Sequence, residues 1–212
     1  MKRCRPAWWL MMAVALLLGG CASVMRVDNQ VQSFARWTER GAGATVPQAP
    51  QVFRFERLPS QDGAGQAELE NVAAQALAGV GWTPAAPGVA APWTVQVSAA
   101  TQRLPRAPWE SPYDGFGPYA PGGFGGQFVL ANNGALIYVP LFPRLESPYF
   151  LRSVSLVIRH AGSAQVVYET RAAHDGRWNA SPALWRAMFD AALQGFPAPP
   201  AGERQVNIDL PR

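Results

Sequence analysis

The most pointed chemistry in this 212-residue chain lies near its start. Leu18-Gly19-Gly20-Cys21 closes an uncharged run of twelve residues, Ala7 to Leu18, which follows Lys2, Arg3 and Arg5. A cysteine acts as a nucleophile through its thiolate, and small residues before it let an extended backbone enter a protease groove. The remaining inventory for catalysis is thin. It holds two histidines, His160 and His174, one further cysteine, Cys4, and no lysine after Lys2. Beyond the first few residues this excludes a Schiff-base amine and a phosphate-loop lysine. Neither a Gly-x-Ser-x-Gly elbow nor a His-Glu-x-x-His helix occurs. Glu110 and Asp114 are candidates for a carboxylate pair or for calcium, but two acids need further ligands to hold a cation. No metal and no cofactor is therefore expected. Glu68 and Glu70 read as acids in the first turn of a helix, where they complement its dipole and stay solvated.

A positive stretch, a short apolar run and then small residues is the layout of a bacterial secretory signal. Twelve apolar residues fall short of the roughly 20 that a spanning helix needs. Leu18, three positions before Cys21 with two glycines between, resembles the lipobox of bacterial lipoproteins. The resemblance implies that the Cys21 thiolate takes a diacylglycerol as a thioether, that cleavage falls between Gly20 and Cys21, and that the new amine is acylated. Gly20-Cys21-Ala22 also reads as a small-x-small site for ordinary cleavage after Ala22. Each buried CH₂ of an acyl chain contributes roughly 0.8 kcal/mol, and two chains already give stable anchoring. In a Gram-negative cell, Ala22 and Ser23 stand where an inner-membrane lipoprotein commonly carries Asp. The expected location is the outer membrane, with the domain facing the periplasm.

Processing changes the charge. The whole chain carries 18 Lys and Arg against 14 Asp and Glu, a formal charge of +4. Without Lys2, Arg3 and Arg5 the balance is 15 against 14, close to neutral. A nucleic-acid binder shows a clustered basic patch, and no such cluster of arginines occurs, so nucleic acid is not an expected partner. With Cys21 acylated no free thiol remains for a disulfide or a zinc-type cluster.

The elements that must position any site are legible from period and punctuation. Ser23 to Phe34 reads as a short strand near the anchor, and Thr38 to Pro50 as a connection rich in small residues. Gln51 to Leu58 reads as a strand stopped by Pro59. Leu69, Val72, Ala73, Ala76, Leu77 and Val80 recur at three- and four-residue steps and predict a helix over 66–80. Trp93, Val95, Val97 and Ala99 alternate with polar residues as a half-buried strand. The apolar runs 128–142 and 150–160 predict further strands, the first with an Asn132-Asn133-Gly134 turn signal inside it. Ala161-Gly162-Ser163 joins 153–160 to 165–172 as a hairpin, which places His160 near the turn and His174 at the far end. Ser181-Pro182 opens a second helix as N-cap and first residue, and Val206, Ile208 and Leu210 alternate in a closing strand. The order predicts an α+β fold, a two-layer sandwich with an antiparallel or mixed sheet and both helices on one face. Its boundaries are a signal peptide at 1–20, a lipidated N-terminus with strand and linker at 21–50, and the α+β domain at 51–212.

The segment 104–126 interrupts this order. Eleven of its 23 residues are Gly or Pro, yet it carries Trp109, Tyr113, Phe116, Tyr119 and Phe124. Long loops of this kind are functional or disordered, and aromatics supply contact area at low entropy cost. These five are candidates for contact with an envelope protein, a glycan or lipid. The other readings are an insertion that folds its aromatics back over the sheet, and a disordered loop.

Several stretches also look familiar. They are Phe53-Arg54-Phe55-Glu56-Arg57-Leu58-Pro59-Ser60-Gln61, Ala76-Leu77-Ala78-Gly79-Val80-Gly81-Trp82 and Ala91-Pro92-Trp93-Thr94-Val95-Gln96-Val97. Near the end stand Leu193-Gln194-Gly195-Phe196-Pro197 and Gly202-Glu203-Arg204-Gln205-Val206. With the lipobox they resemble the bacterial lipoproteins of domain of unknown function 4136, over roughly Ser23 to Leu210. The resemblance implies a periplasm-facing α+β domain and brings no reaction or catalytic residue with it. The expected function is that of a non-enzymatic interaction or structural module anchored through acylated Cys21. The alternatives are a small-ligand-binding module, or a glycan or peptide hydrolase using Glu110, Asp114 or His174.

Overall fold

The structure is a computed structural model that describes residues 24–37, 46–109, 126–130, 134–140, 148–177 and 181–211. The described strands are β1 (Val24–Ala35), β2 (Gln51–Phe55), β3 (Trp82–Pro84), β4 (Trp93–Leu104), β5 (Gly126–Leu130), β6 (Leu136–Pro140), β7 (Tyr149–His160), β8 (Val166–Gly176) and β9 (Glu203–Pro211). The described α-helices are α1 (Ala64–Gly79) and α2 (Pro182–Ala192). Seven strands form one mixed sheet in the order β3-β2-β4-β7-β8-β1-β9, while β5 and β6 pair separately. The fold is α+β.

Alternation builds the core. Val97 stands opposite Leu156, Leu156 opposite Thr170, and Val154 opposite Ala172, which in turn faces Val31. These residues are all buried, because a period of two sends every second side chain to the same side of the sheet. Leu69, Val72, Ala73, Ala76 and Leu77 of α1, with Met188, Phe189, Ala191 and Ala192 of α2, join the same core. Fully burying one such leucine contributes about 1.5–3 kcal/mol. Ser181 caps α2 as its spacing predicts, its Oγ accepting from Leu184 N at 3.2 Å. At one end of the sheet Trp37, Trp82, Trp93, Tyr168 and Phe196 close the core, with Trp37 stacked on Tyr168 at 5.8 Å. Trp37 Nε1 donates to the Pro197 carbonyl at 2.7 Å, so the one polar atom of that ring is satisfied.

Three features differ from the sequence-based expectation. The first strand, β1, expected over Ser23 to Phe34 apart from the domain at 51–212, lies between β8 and β9 in the main sheet. β3 was not expected, and β2 runs parallel to both β3 and β4, a pairing that a crossover through α1 makes possible. Helix α1 begins at Ala64, two residues early, so its first turn holds no acid. Glu70 consequently faces inward and is buried against Arg57, not solvated.

The register also fixes which ends lie together. Leu104 pairs with Tyr149, Phe150 with Gly176, and Val24 with Pro211, so β1 begins where β4, β8 and β9 end and where β7 starts. Helix α2 starts six residues beyond the end of β8, at this same end, where Leu184 packs with Val27, Met25 and Leu210. The end of α1 lies at the other, where Gln51 N donates to the Gly81 carbonyl.

Candidate functional site

Between the starts of the two helices lies a groove of about 590 Å³, walled by Ser60, Gln61, Gln66, Glu68, Ser181 and Trp185. A 3₁₀ turn at Pro59–Gln61 carries one wall. Gln61 is held at both ends of its amide: Nε2 donates to the Val97 carbonyl at 2.8 Å, and Oε1 accepts from Leu58 N at 2.9 Å. Gln66 Nε2 donates to the same Val97 carbonyl at 3.1 Å and to Glu70 at 3.3 Å. Behind it Glu70 takes two bonds from Arg57, at 2.6 and 2.7 Å. The Arg57 guanidinium thereby holds the Glu70 carboxyl below its ordinary range, against a smaller opposing effect of burial. The groove thus presents immobilised amides, hydroxyls, one exposed carboxylate at Glu68 and an indole. Such a lining binds by hydrogen bonds and stacking.

On the other side of the sheet, alternate residues of the core strands form a cross-strand polar row. Ser98 faces Ser155, Ser155 faces Arg171, Arg171 faces Gln32 and Gln32 faces Glu203. The row floors a shallow trough of about 460 Å³. Arg171 is pinned along its own strand by Glu169 at 2.8 Å.

A third polar group lies inside. Arg152, opposite Thr101 and His174, is 2% exposed and sits over the Phe150 ring at 5.1 Å. Among the described residues none of its three guanidinium nitrogens has a hydrogen-bond partner. Burial lowers its pKa, and Tyr149 and Asp175 oppose that shift from a distance. Asp175 is itself engaged by the Tyr149 hydroxyl, which donates to it at 2.5 Å. Burial and this bond push the Tyr149 phenol up to about 12.

The residues singled out from sequence fare differently. Trp109 is 69% exposed and meets Tyr149 edge to face at 5.0 Å. Gly20, Cys21, Glu110, Tyr113, Asp114, Phe116, Tyr119 and Phe124 lie outside the described residues. His174 is buried, its Nδ1 bonded to the Asp28 carbonyl at 2.8 Å, while His160 packs edge to face on Trp93. The two stand opposite Arg152 and next to the turn respectively, about eight strand residues or ~26 Å apart. They are not brought together. Among the described residues no three His, Cys, Asp or Glu side chains gather as metal ligands would. Sequence reading missed the groove. Its walls come from three separate segments, and amide and hydroxyl side chains carry no period by which to find them.

No protein-family model matches this chain, and no curated protein does. Among solved structures, a PDZ domain protein from Parabacteroides distasonis superposes with a TM-score of 0.50 at 11% identity, over 94% of this chain. This chain spans only 42% of that protein's length, and the likeness is one of fold. PelC dodecamers from Paraburkholderia phytofirmans match more weakly, with TM-scores of 0.41 and 0.40 at 9% and 11% identity. Those two matches cover 80% and 81% of this chain and 98% and 99% of the PelC chains.

Proposed function

We propose that this chain is an outer-membrane lipoprotein, anchored by acylated Cys21, whose periplasm-facing domain is a non-enzymatic interaction or structural module. The observation that carries the anchor is Leu18-Gly19-Gly20-Cys21 at the end of a twelve-residue apolar run behind three cations. The reading of the domain as a two-layer sandwich, with both helices on one face, draws on the largely alternating burial along β1, β7 and β8. In that arrangement the Ser98–Glu203 row is the open face, available to another envelope component. A second reading, a small-ligand module, draws on the groove at the helix starts, with Trp185 as its stacking surface.

Intact-mass measurement of the membrane fraction tests the anchor: the expected species begins at Cys21 and carries diacylglycerol and an N-acyl chain. A soluble product beginning at Ser23, or a Cys21→Ser protein that stays on the membrane, overturns it. Crosslinking in cells followed by capture tests the module. Arg171→Ala and Gln32→Ala should lose the captured species if the open face makes the contact, whereas Trp185→Ala should lose it if the groove does.

A further inference from the structure

If Cys21 carries the lipid, the tether is short. Val24, three residues on, already lies in β1 and pairs with Pro211. A chain advances at most about 3.3–3.6 Å per residue, so the two Cα atoms stand no more than roughly 10 Å apart. That is close to the depth of one headgroup layer, about 5–8 Å. Only Ala22 and Ser23 stand between the acylated residue and the sheet, so the end of the domain that meets the bilayer is decided by strand direction.

At that end lie the start of β1, the ends of β4, β8 and β9, and the start of β7. The chain between Leu104 and its direct partner Tyr149 leaves and returns there, and it carries β5 and β6. Trp109, Leu130 and Leu136, at 69, 67 and 69%, are the most exposed large apolar side chains among the described residues, and all three belong to this excursion. Val24 adds a fourth, at 54%. Exposed Arg103 stands one residue before the excursion begins. Tryptophan settles at the headgroup level, where its ring is half in apolar surroundings and its N–H stays wet. Arginine there is drawn to anionic lipid. Helix α2 also begins at this end, presenting the positive end of its dipole.

We infer that this end is a membrane-facing surface, with Val24, Trp109, Leu130 and Leu136 seated in the headgroup layer of the leaflet that holds Cys21. The inference rests on the lipoprotein reading and adds an orientation: the strands run along the membrane normal, the cross-strand Ser98–Glu203 row lies parallel to the bilayer, and the end closed by the buried Trp37–Trp82–Phe196 cluster is the one away from the membrane.

The test uses the full lipidated protein in vesicles of phosphatidylethanolamine and phosphatidylglycerol. Its one mature cysteine is blocked by lipid, so a single introduced cysteine takes a fluorophore cleanly. Trp109→Cys and Leu136→Cys report the proposed surface. Phe34→Cys and Val166→Cys report the opposite end of β1 and β8, and all four sites are exposed, so the label costs little in folding. A quencher borne on the lipid headgroup is expected to quench positions 109 and 136 several-fold more than 34 and 166. Equal or reversed quenching, in protein that floats with the vesicles, overturns the orientation and leaves the anchor standing. Protein that fails to float, with no acyl mass, overturns the anchor and the inference with it.

Discussion

Arg152 stands on β7 with 2% of its surface exposed, and among the described residues its guanidinium finds no hydrogen-bond partner. A buried charge without a partner costs several kcal/mol. Two contributions offset part of this. The Phe150 ring at 5.1 Å supplies a cation–π attraction worth about 1–2 kcal/mol when desolvated. Asp175 attracts from a distance but spends its hydrogen bond on Tyr149. Arg152→Met removes the charge and keeps an unbranched stem of similar length, so the packing of that stem is retained. Replacing buried ionic groups with apolar ones of similar volume gains about 1–4 kcal/mol. After the offsets we expect about 2 kcal/mol, or a rise in Tm of about 4–8 °C for a domain of this size. The assay is urea unfolding of the Cys21→Ser protein followed by tryptophan fluorescence, with an unchanged slope and a higher midpoint. Arg152→Lys, which keeps the charge and loses the flat stack, should fall below the parent. If Arg152→Met loses more than about 1 kcal/mol, the guanidinium has a partner whose loss is felt, and the reasoning fails.

Gly81 has φ +82, and a Cβ there would lie 2.6 Å from Ala49 Cβ, so Gly81→Ala should cost about 1–3 kcal/mol in thermal unfolding. Ser181→Ala removes the cap on Leu184 N and should cost about 1 kcal/mol, with Ser181→Thr restoring most of it. Glu70 is held below its ordinary 4.5 by Arg57, so its contribution is present above that value and lost as pH falls through the folded value. Urea midpoints against pH should therefore fall below about 4.5, and Glu70→Gln should flatten that acid limb; an unchanged limb would place its origin elsewhere.

What could be read along the chain was whatever depends on neighbours in sequence. The three- and four-residue steps of Leu69 to Leu77 determined α1, and Ser181-Pro182 determined the start of α2. The alternation of Val95 and Val97 determined the inner half of β4, and the 161–163 turn joined β7 to β8. The likeness of Leu18-Gly19-Gly20-Cys21 to a lipobox is local in the same sense. Only the tertiary structure decided the rest. β3 is three residues long and has no period to show; it exists because β2 accepts it as a parallel neighbour. Glu70 lies beside Ala73 and Leu77 on the helical wheel, but the partner that lets a carboxylate sit there is Arg57, 13 positions earlier. Ser33 and Thr170 bond each other at 2.8 Å across 137 positions, and Arg152 lost its water to a sheet whose strands are dispersed along the whole chain. Hydrophobic period and caps act over one or two turns of backbone, so sequence carries them openly. Pairing, ion pairs and the direction a strand end faces are settled by contacts between distant segments, which exist only once the chain has folded.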